Sequence, residues 1–333
     1  MSELYQRDNR IDILRALAIL CIILAHSAPP DAIFQLRNFD VTMMAFLMGA
    51  SFYLSSQKHG GFKYLSYIKK RYNRLVLPAW QFLIFFFVLF YGISLYFKDS
   101  FYFSSAYIIQ SFMMIQGYMW IMAVFFIIAL INPLLLFVSS KIKSNTFYFL
   151  IVIGAYVFYS VILFVYDSFS EGLFKHVFEY YIAFGLGYSL VAAIGVRLFK
   201  IHKSHLIILS GLSLFIYVVL MIYHGFAPTQ EFKYPPTLYY FSYGLFVSFL
   251  LFYVLSFNKI RRVFDIKPVS WLSTHSLTLY YYHTIPIFIL KLFAGRLPMI
   301  DSNFVTRFIF LFVPALLLVF LHNGIKRTIM NAK

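Results

Sequence analysis

Arg15 and His26 lie eleven positions apart in the run RIDILRALAILCIILAHSAPP, Arg10 to Pro30, which is otherwise apolar enough to enter a membrane. An ionisable side chain at the centre of a spanning helix costs about 2.5–3.5 kcal/mol on insertion scales, so such residues face a bundle interior and serve a function there. A helix turns about 100° and rises about 1.5 Å per residue, which returns His26 to within about 20° of the Arg15 face, roughly 16 Å further along the axis. Asp12 lies about 60° from Arg15 on the same side. One stripe of one helix therefore carries a carboxylate, a guanidinium and an imidazole. An imidazole with an unperturbed pKa near 6.5 can take a proton from a hydroxyl and return one near neutral pH. The guanidinium can hold an anionic group or a developing oxyanion.

The elements that must position these groups are hydrophobic helices. The chain has 333 residues, 62% hydrophobic and 12% charged, against roughly 25% charged in a soluble domain. Apolar runs long enough to span a bilayer recur near 11–28, 39–56, 76–97, 118–138, 146–166, 176–195, 205–224, 237–257, 272–293 and 304–322. The expected fold is an all-α integral membrane protein, a ten-helix transmembrane bundle forming one domain over 1–333. No cleavable leader and no appended soluble domain are expected. With the N-terminus placed in the cytoplasm, 21 of the 28 Lys and Arg fall on the cytoplasmic side. The other seven are Arg37, Lys98, Lys175, Lys233, Lys291, Arg296 and Arg307. That bias fits both termini in the cytoplasm, and it accounts for the net charge of +16 without a nucleic-acid partner. A single cysteine, Cys21, excludes an internal disulfide. It lies about 150° from His26 on the helical wheel, which disfavours a thiol relay on that face. His59, His202 and His205 lack metal-ligand spacing to any acidic cluster, so no metal site is expected.

Several segments resemble acyltransferase family 3, membrane proteins that acylate bacterial cell-surface glycans. RIDILRALAILCIILAHS is similar to the family's opening helix, in which an Arg precedes a His by eleven residues; Arg15, Ala16, Ala18 and His26 fall on that pattern. NFDVTMMAFLMGASFYLSS resembles its second helix, F-D-V-P-L-F-F-F-L-S-G-Y, through Phe39, Asp40, Val41, Phe46, Leu47 and Gly49. Thr42 stands for the usual Pro there, and Met48 for the usual Ser. YIKKRYNRLVLPAW resembles the basic stretch K-R-x-x-R-L-x-x-P, with Arg71 and Arg74 as its pair. Trp120 in GYMWIMAVFFIIALINPLL matches the segment H-L-W-F-L. SWLSTHSLTLYYYHTIPIF resembles a late segment through Ser276, Leu277, Tyr280 and His283, although Thr274 and His275 stand where a Gly-Lys pair is often found.

The resemblance implies an O-acyltransferase of the bacterial cytoplasmic (inner) membrane, using acetyl-CoA or another acyl-CoA as donor substrate with no permanently bound cofactor. The acceptor it implies is a surface polysaccharide such as O-antigen or capsule, or its lipid-linked precursor. His26 becomes the expected base and Arg15 its catalytic companion or a donor contact. Arg71 and Arg74 become the donor-phosphate contacts, since two guanidinium forks suit phosphate oxygens. Asp40 and Glu179 are candidates to orient His26 or to bind a sugar hydroxyl, and Trp120 and His283 are weaker candidates for the same site. The rival readings are a transporter for a glycan or small solute, and a subunit of an export complex. The oligomeric state is open.

Overall fold

The computed structural model describes residues 8–59, 63–293, 296–301 and 303–331. Among the described residues the fold is helical and contains no strand. In chain order the helices are α1 (Asn9–Ala25), α2 (Asp31–Leu36), α3 (Asp40–His59), α4 (Tyr64–Phe97), α5 (Ser105–Phe112), α6 (Trp120–Lys141), α7 (Asn145–Asp167) and α8 (Leu173–Phe178). They continue with α9 (Gly185–Arg197), α10 (Lys203–Tyr223), α11 (Leu238–Val254), α12 (Asn258–Phe264), α13 (Lys267–Tyr282), α14 (Thr284–Leu292), α15 (Pro298–Asp301) and α16 (Phe304–Asn331). All ten apolar runs are helical. Among the described residues, six helical stretches are long and apolar enough to cross a membrane, or seven if the bent pair α11 and α12 is counted as one. Arg7 and Lys333, which entered the charge count above, lie outside the described residues, as do the side chains of His59, Lys326 and Arg327.

The helices that carry Arg15, Asp40 and His283 are not among those six. α1 packs between α3 and α13, and α3 packs against α6, α9 and α11. A helix shielded from lipid by its neighbours can afford polar groups that a lipid-facing helix cannot. α16 covers α1 and α13, α7 covers α9 and α10 covers α11, and large apolar side chains of these three, such as Phe164, Phe215 and Leu317, stay exposed on the outside of the bundle.

The close centre depends on glycine. A Cβ on Gly49 of α3 would meet the Ala192 carbonyl of α9, and a Cβ on Gly195 of α9 would meet the Phe46 carbonyl of α3. The two backbones touch at these points, which is the approach that small residues permit between membrane helices.

Both histidines of the site mark helix ends. Asp8 caps α1 by accepting from the Arg10 N–H, and His26 closes it through its own N–H to the Ile23 carbonyl. Ala28 then turns the chain with φ +52°, and Pro29 and Pro30 prevent the helix from continuing. His283 is the hinge between α13 and α14, followed three residues on by Pro286, which cannot donate to the Tyr282 carbonyl. The long ninth apolar run is thus two helices that meet at a histidine.

Candidate active site

His26 is half-buried and surrounded by rings. The Tyr118 ring packs edge-on at 4.8 Å between centroids and the His283 ring lies at 5.4 Å. Tyr280 packs on His283 at 5.1 Å and donates its hydroxyl to the Tyr118 carbonyl. Among the described residues, no hydrogen bond engages the ring nitrogens of His26. His283 is fully buried and its Nδ1 contacts the Tyr280 carbonyl, so Nδ1 carries the proton and Nε2 is left as an acceptor. That Nε2 is buried without a hydrogen-bond partner. Tyr118 is held by the 3-10 turn Gly117–Met119, where Gly117 has φ +62° and a Cβ would strike the Tyr107 hydroxyl.

Arg15 is anchored from three helices. It donates to Ser51 of α3 at 2.9 Å and to Ser273 of α13 at 3.4 Å, and it lies 3.6 Å from Asp12 of its own helix. Ser273 in turn donates to Asp12 at 2.7 Å. Met48 occupies the position of the usual Ser, and Ser51, one turn further along the same helix, brings a hydroxyl to Arg15.

A cavity of about 530 Å³ begins beside this cluster, a volume in the range of small-molecule sites. Lys58, Arg71, Arg74 and Arg15 line it together with Ile22, Ile121 and Tyr280, and Tyr280 packs on His283, the ring neighbour of His26. Its carboxylates are Asp8 and Asp12, both engaged: Asp8 holds Arg10 at 2.6 Å and Asp12 accepts from Ser273. Lys58, Arg71 and Arg74 have no acidic partner among the described residues. Arg71 and Arg74 are placed by the early start of α4 at Tyr64, which makes them one helical turn apart rather than loop residues. Arg71 also lies over the Tyr67 ring, 4.9 Å from its centroid.

On the other side of His26 is a buried charge cluster. Asp40 sits at the start of α3 and takes Arg37 at 2.9 Å and Lys233 at 3.7 Å, and all three are at most 4% exposed. Asp40 also accepts from the Val41 N–H. Burial disfavours the Lys233 ammonium, but Tyr234, Tyr240 and Asp40 outweigh it and raise its pKa above the usual lysine value. Two cations on one carboxylate leave a positive excess. Arg37, Lys233 and Lys291 all lie close enough to act electrostatically on His26. Lys291 is exposed, with Nζ 5.5 Å from the Tyr118 ring centroid and 5.3 Å from that of Phe288.

The structure therefore gathers His26, His283 and Tyr118 in one cluster, and Arg15, Arg71 and Arg74 along one cavity. Asp40 and Glu179 do not touch His26. Asp40 is taken by the two cations, while Glu179 lies 3.9 Å from the His176 ring. Trp120 packs on Phe184, Tyr188 and Tyr234 and acts as a wall of α6. Cys21 is buried on α1 away from the cluster. Among the described residues, no three His, Cys, Asp or Glu side chains come together as a metal site. Sequence reading missed Tyr118, Ser51, Ser273 and the convergence of Arg37, Lys233 and Lys291. The last had a signal, since those three are among the seven basic residues that break the charge bias.

A family model described as "Acyltransferase domain" (Acyl_transf_3) matches residues 8–324, and the chain belongs to acyltransferase family 3. With its apolar helices, this makes it a membrane acyltransferase. No curated protein and no solved structure matches the chain.

Proposed function

We propose that the protein is an O-acyltransferase of the bacterial inner membrane, moving an acetyl group from acetyl-CoA to a hydroxyl of a cell-surface polysaccharide or its lipid-linked precursor. The single observation that carries this reading is one cavity lined both by Lys58, Arg71 and Arg74, which have no acidic partner among the described residues, and by Tyr280 of the ring cluster at His26. In this reading ten helices span the bilayer and these three cations face the cytoplasm, where the donor is made.

The phosphates of the donor sit on Arg71, Arg74 and Lys58, where bidentate guanidinium contacts are strongest. The pantetheine arm follows the cavity past Arg15 and brings the thioester carbonyl beneath His26. The acceptor enters from the opposite side, past Tyr118 and Lys291. His26 takes the hydroxyl proton as the acceptor oxygen attacks the thioester carbon. The tetrahedral oxyanion forms in the positive field of Arg37 and Lys233, which are fixed in place by Asp40 and need no reorganisation. The carbon–sulfur bond then breaks, the thiolate takes the proton from the His26 imidazolium, and the ester and free thiol leave on opposite sides. His283 supports this arrangement through Nε2, an acceptor for the incoming hydroxyl or for a protonated His26.

The experiment is transfer of label from radiolabelled acetyl-CoA to the surface polysaccharide in membranes containing the protein. Labelled ester on the glycan supports the reading. Flux of a glycan without thioester consumption supports the transporter instead, a reading that the helix break at His283 favours.

A further inference from the structure

A second polar cavity lies at the His26 end of the bundle, between the α5–α6 connection and the start of α8. It measures about 300 Å³, and Gln110, Gln116, Tyr166, His176 and Glu179 supply its polar wall. We propose that this cavity is an acceptor subsite that binds a neighbouring sugar of the glycan chain, beside the sugar whose hydroxyl reaches His26. The inference rests on the acyl-transfer reading above and adds where the acceptor is held.

Four observations support it. The carboxamides of Gln110 and Gln116 are half-buried at the cavity, and among the described residues neither makes a hydrogen bond. Polar groups partly removed from water are expected to find partners, and an amide offers donors and acceptors that match vicinal hydroxyls. The cavity's lysine is already engaged: Lys175 holds Glu171 at 2.6 Å, while Glu179 lies 3.9 Å from the His176 ring. With its lysine already paired, the cavity offers no free cation to an anion, and Glu179 can accept from a sugar hydroxyl.

The third observation is continuity with the chemistry. Gln116 also lines a small gap whose wall includes Gly117 and Tyr118, and the Tyr118 ring packs on His26. The fourth is the backbone. Residues Glu179–Phe184 form a π-helical segment between α8 and α9. Such insertions are rare and concentrate at functional sites. Here the segment starts at Glu179 and sends the Tyr181 hydroxyl to the Met113 carbonyl, tying itself to the end of α5, between Gln110 and Gln116 in the chain.

The test uses the full-length protein in lipid nanodiscs with radiolabelled acetyl-CoA and two kinds of acceptor. One is a set of methyl glycosides of the single sugars of the host polysaccharide; the other is oligosaccharide fragments of that polysaccharide. The wild type is expected to show higher kcat/KM on fragments than on single sugars. Gln116→Leu and Glu179→Gln are expected to reduce that advantage by about tenfold each, the loss of one hydrogen bond to a partly charged or fixed polar group. Gln110→Leu provides a third variant if either of these fails to fold. The proposal is overturned if the wild type shows no preference for fragments, if the variants keep it, or if they lower both acceptor classes in parallel. Transfer to neither class by the wild type overturns the acyl-transfer reading along with the subsite.

Discussion

His26 and His283 face each other with ring centroids 5.4 Å apart, although one ends the first helix and the other breaks the ninth apolar run. Because Nδ1 of His283 contacts the Tyr280 carbonyl, its Nε2 has only an acceptor role while neutral. Replacing His283 with Ala is expected to lower kcat by roughly tenfold to a hundredfold, less than a general base contributes. His283→Asn, whose amide keeps a polar atom at the ring's position, should recover part of it. Acetyl transfer measured at saturating donor checks both. Equal activity of all three proteins would remove His283 from the site.

Arg71 and Arg74 are expected to act on donor binding and not on the chemical step. Arg71→Ala and Arg74→Ala should each raise the KM for acetyl-CoA by about ten- to a hundredfold, the effect of losing a charge-assisted contact, with kcat much less affected. Lysine at either position should restore only part of the loss, because a point charge replaces a fork. Donor saturation curves in detergent or nanodiscs would show the split. A loss confined to kcat would contradict it.

Asp40 neutralises two buried cations, and its removal leaves Arg37 and Lys233 facing each other without a counterion. Asp40→Ala is expected to destabilise the protein by about 3 kcal/mol or more, as seen when a buried pair loses one partner. Lys233→Met leaves the Arg37–Asp40 pair intact. It should cost less in thermal stability yet lower kcat by weakening the field at His26. Melting curves in detergent together with transfer rates separate the two effects.

Gly49 and Gly195 set the distance between α3 and α9. Gly49→Val would drive a side chain into the Ala192 backbone, and neither carbonyl can move without shifting its helix. We expect loss of folded protein by size-exclusion chromatography. Gly154, around which a Cβ meets open space, should accept the same change with little effect.

Much of this organisation was legible in the sequence because membrane helices announce themselves by apolarity and the Arg15–His26 spacing places both on one face. The helices most exposed to lipid, such as α7 and α10, were the plainest. The inner helices stand out less: α1 and α13 are 17 and 16 residues long, short for a span, and α3 and α13 are more polar than the outer helices. The partners of His26 were hidden for a different reason. Tyr118 and His283 come from distant parts of the chain, and one of 27 tyrosines carries no local mark of its contact with an imidazole. Asp40 and Glu179 sat at a plausible depth, yet depth does not say which partner a carboxylate will take, and each found cations or a histidine closer than His26.

The central claim is that His26 removes the acceptor proton. Its most direct test is the O-acetyl content of the surface polysaccharide, by NMR, in a strain deleted for the gene and complemented with wild type or His26→Ala at equal membrane abundance. Acetyl signals are expected with the wild type and their loss with His26→Ala, since a general base contributes about 10²–10⁴-fold. Full acetylation by His26→Ala would contradict it.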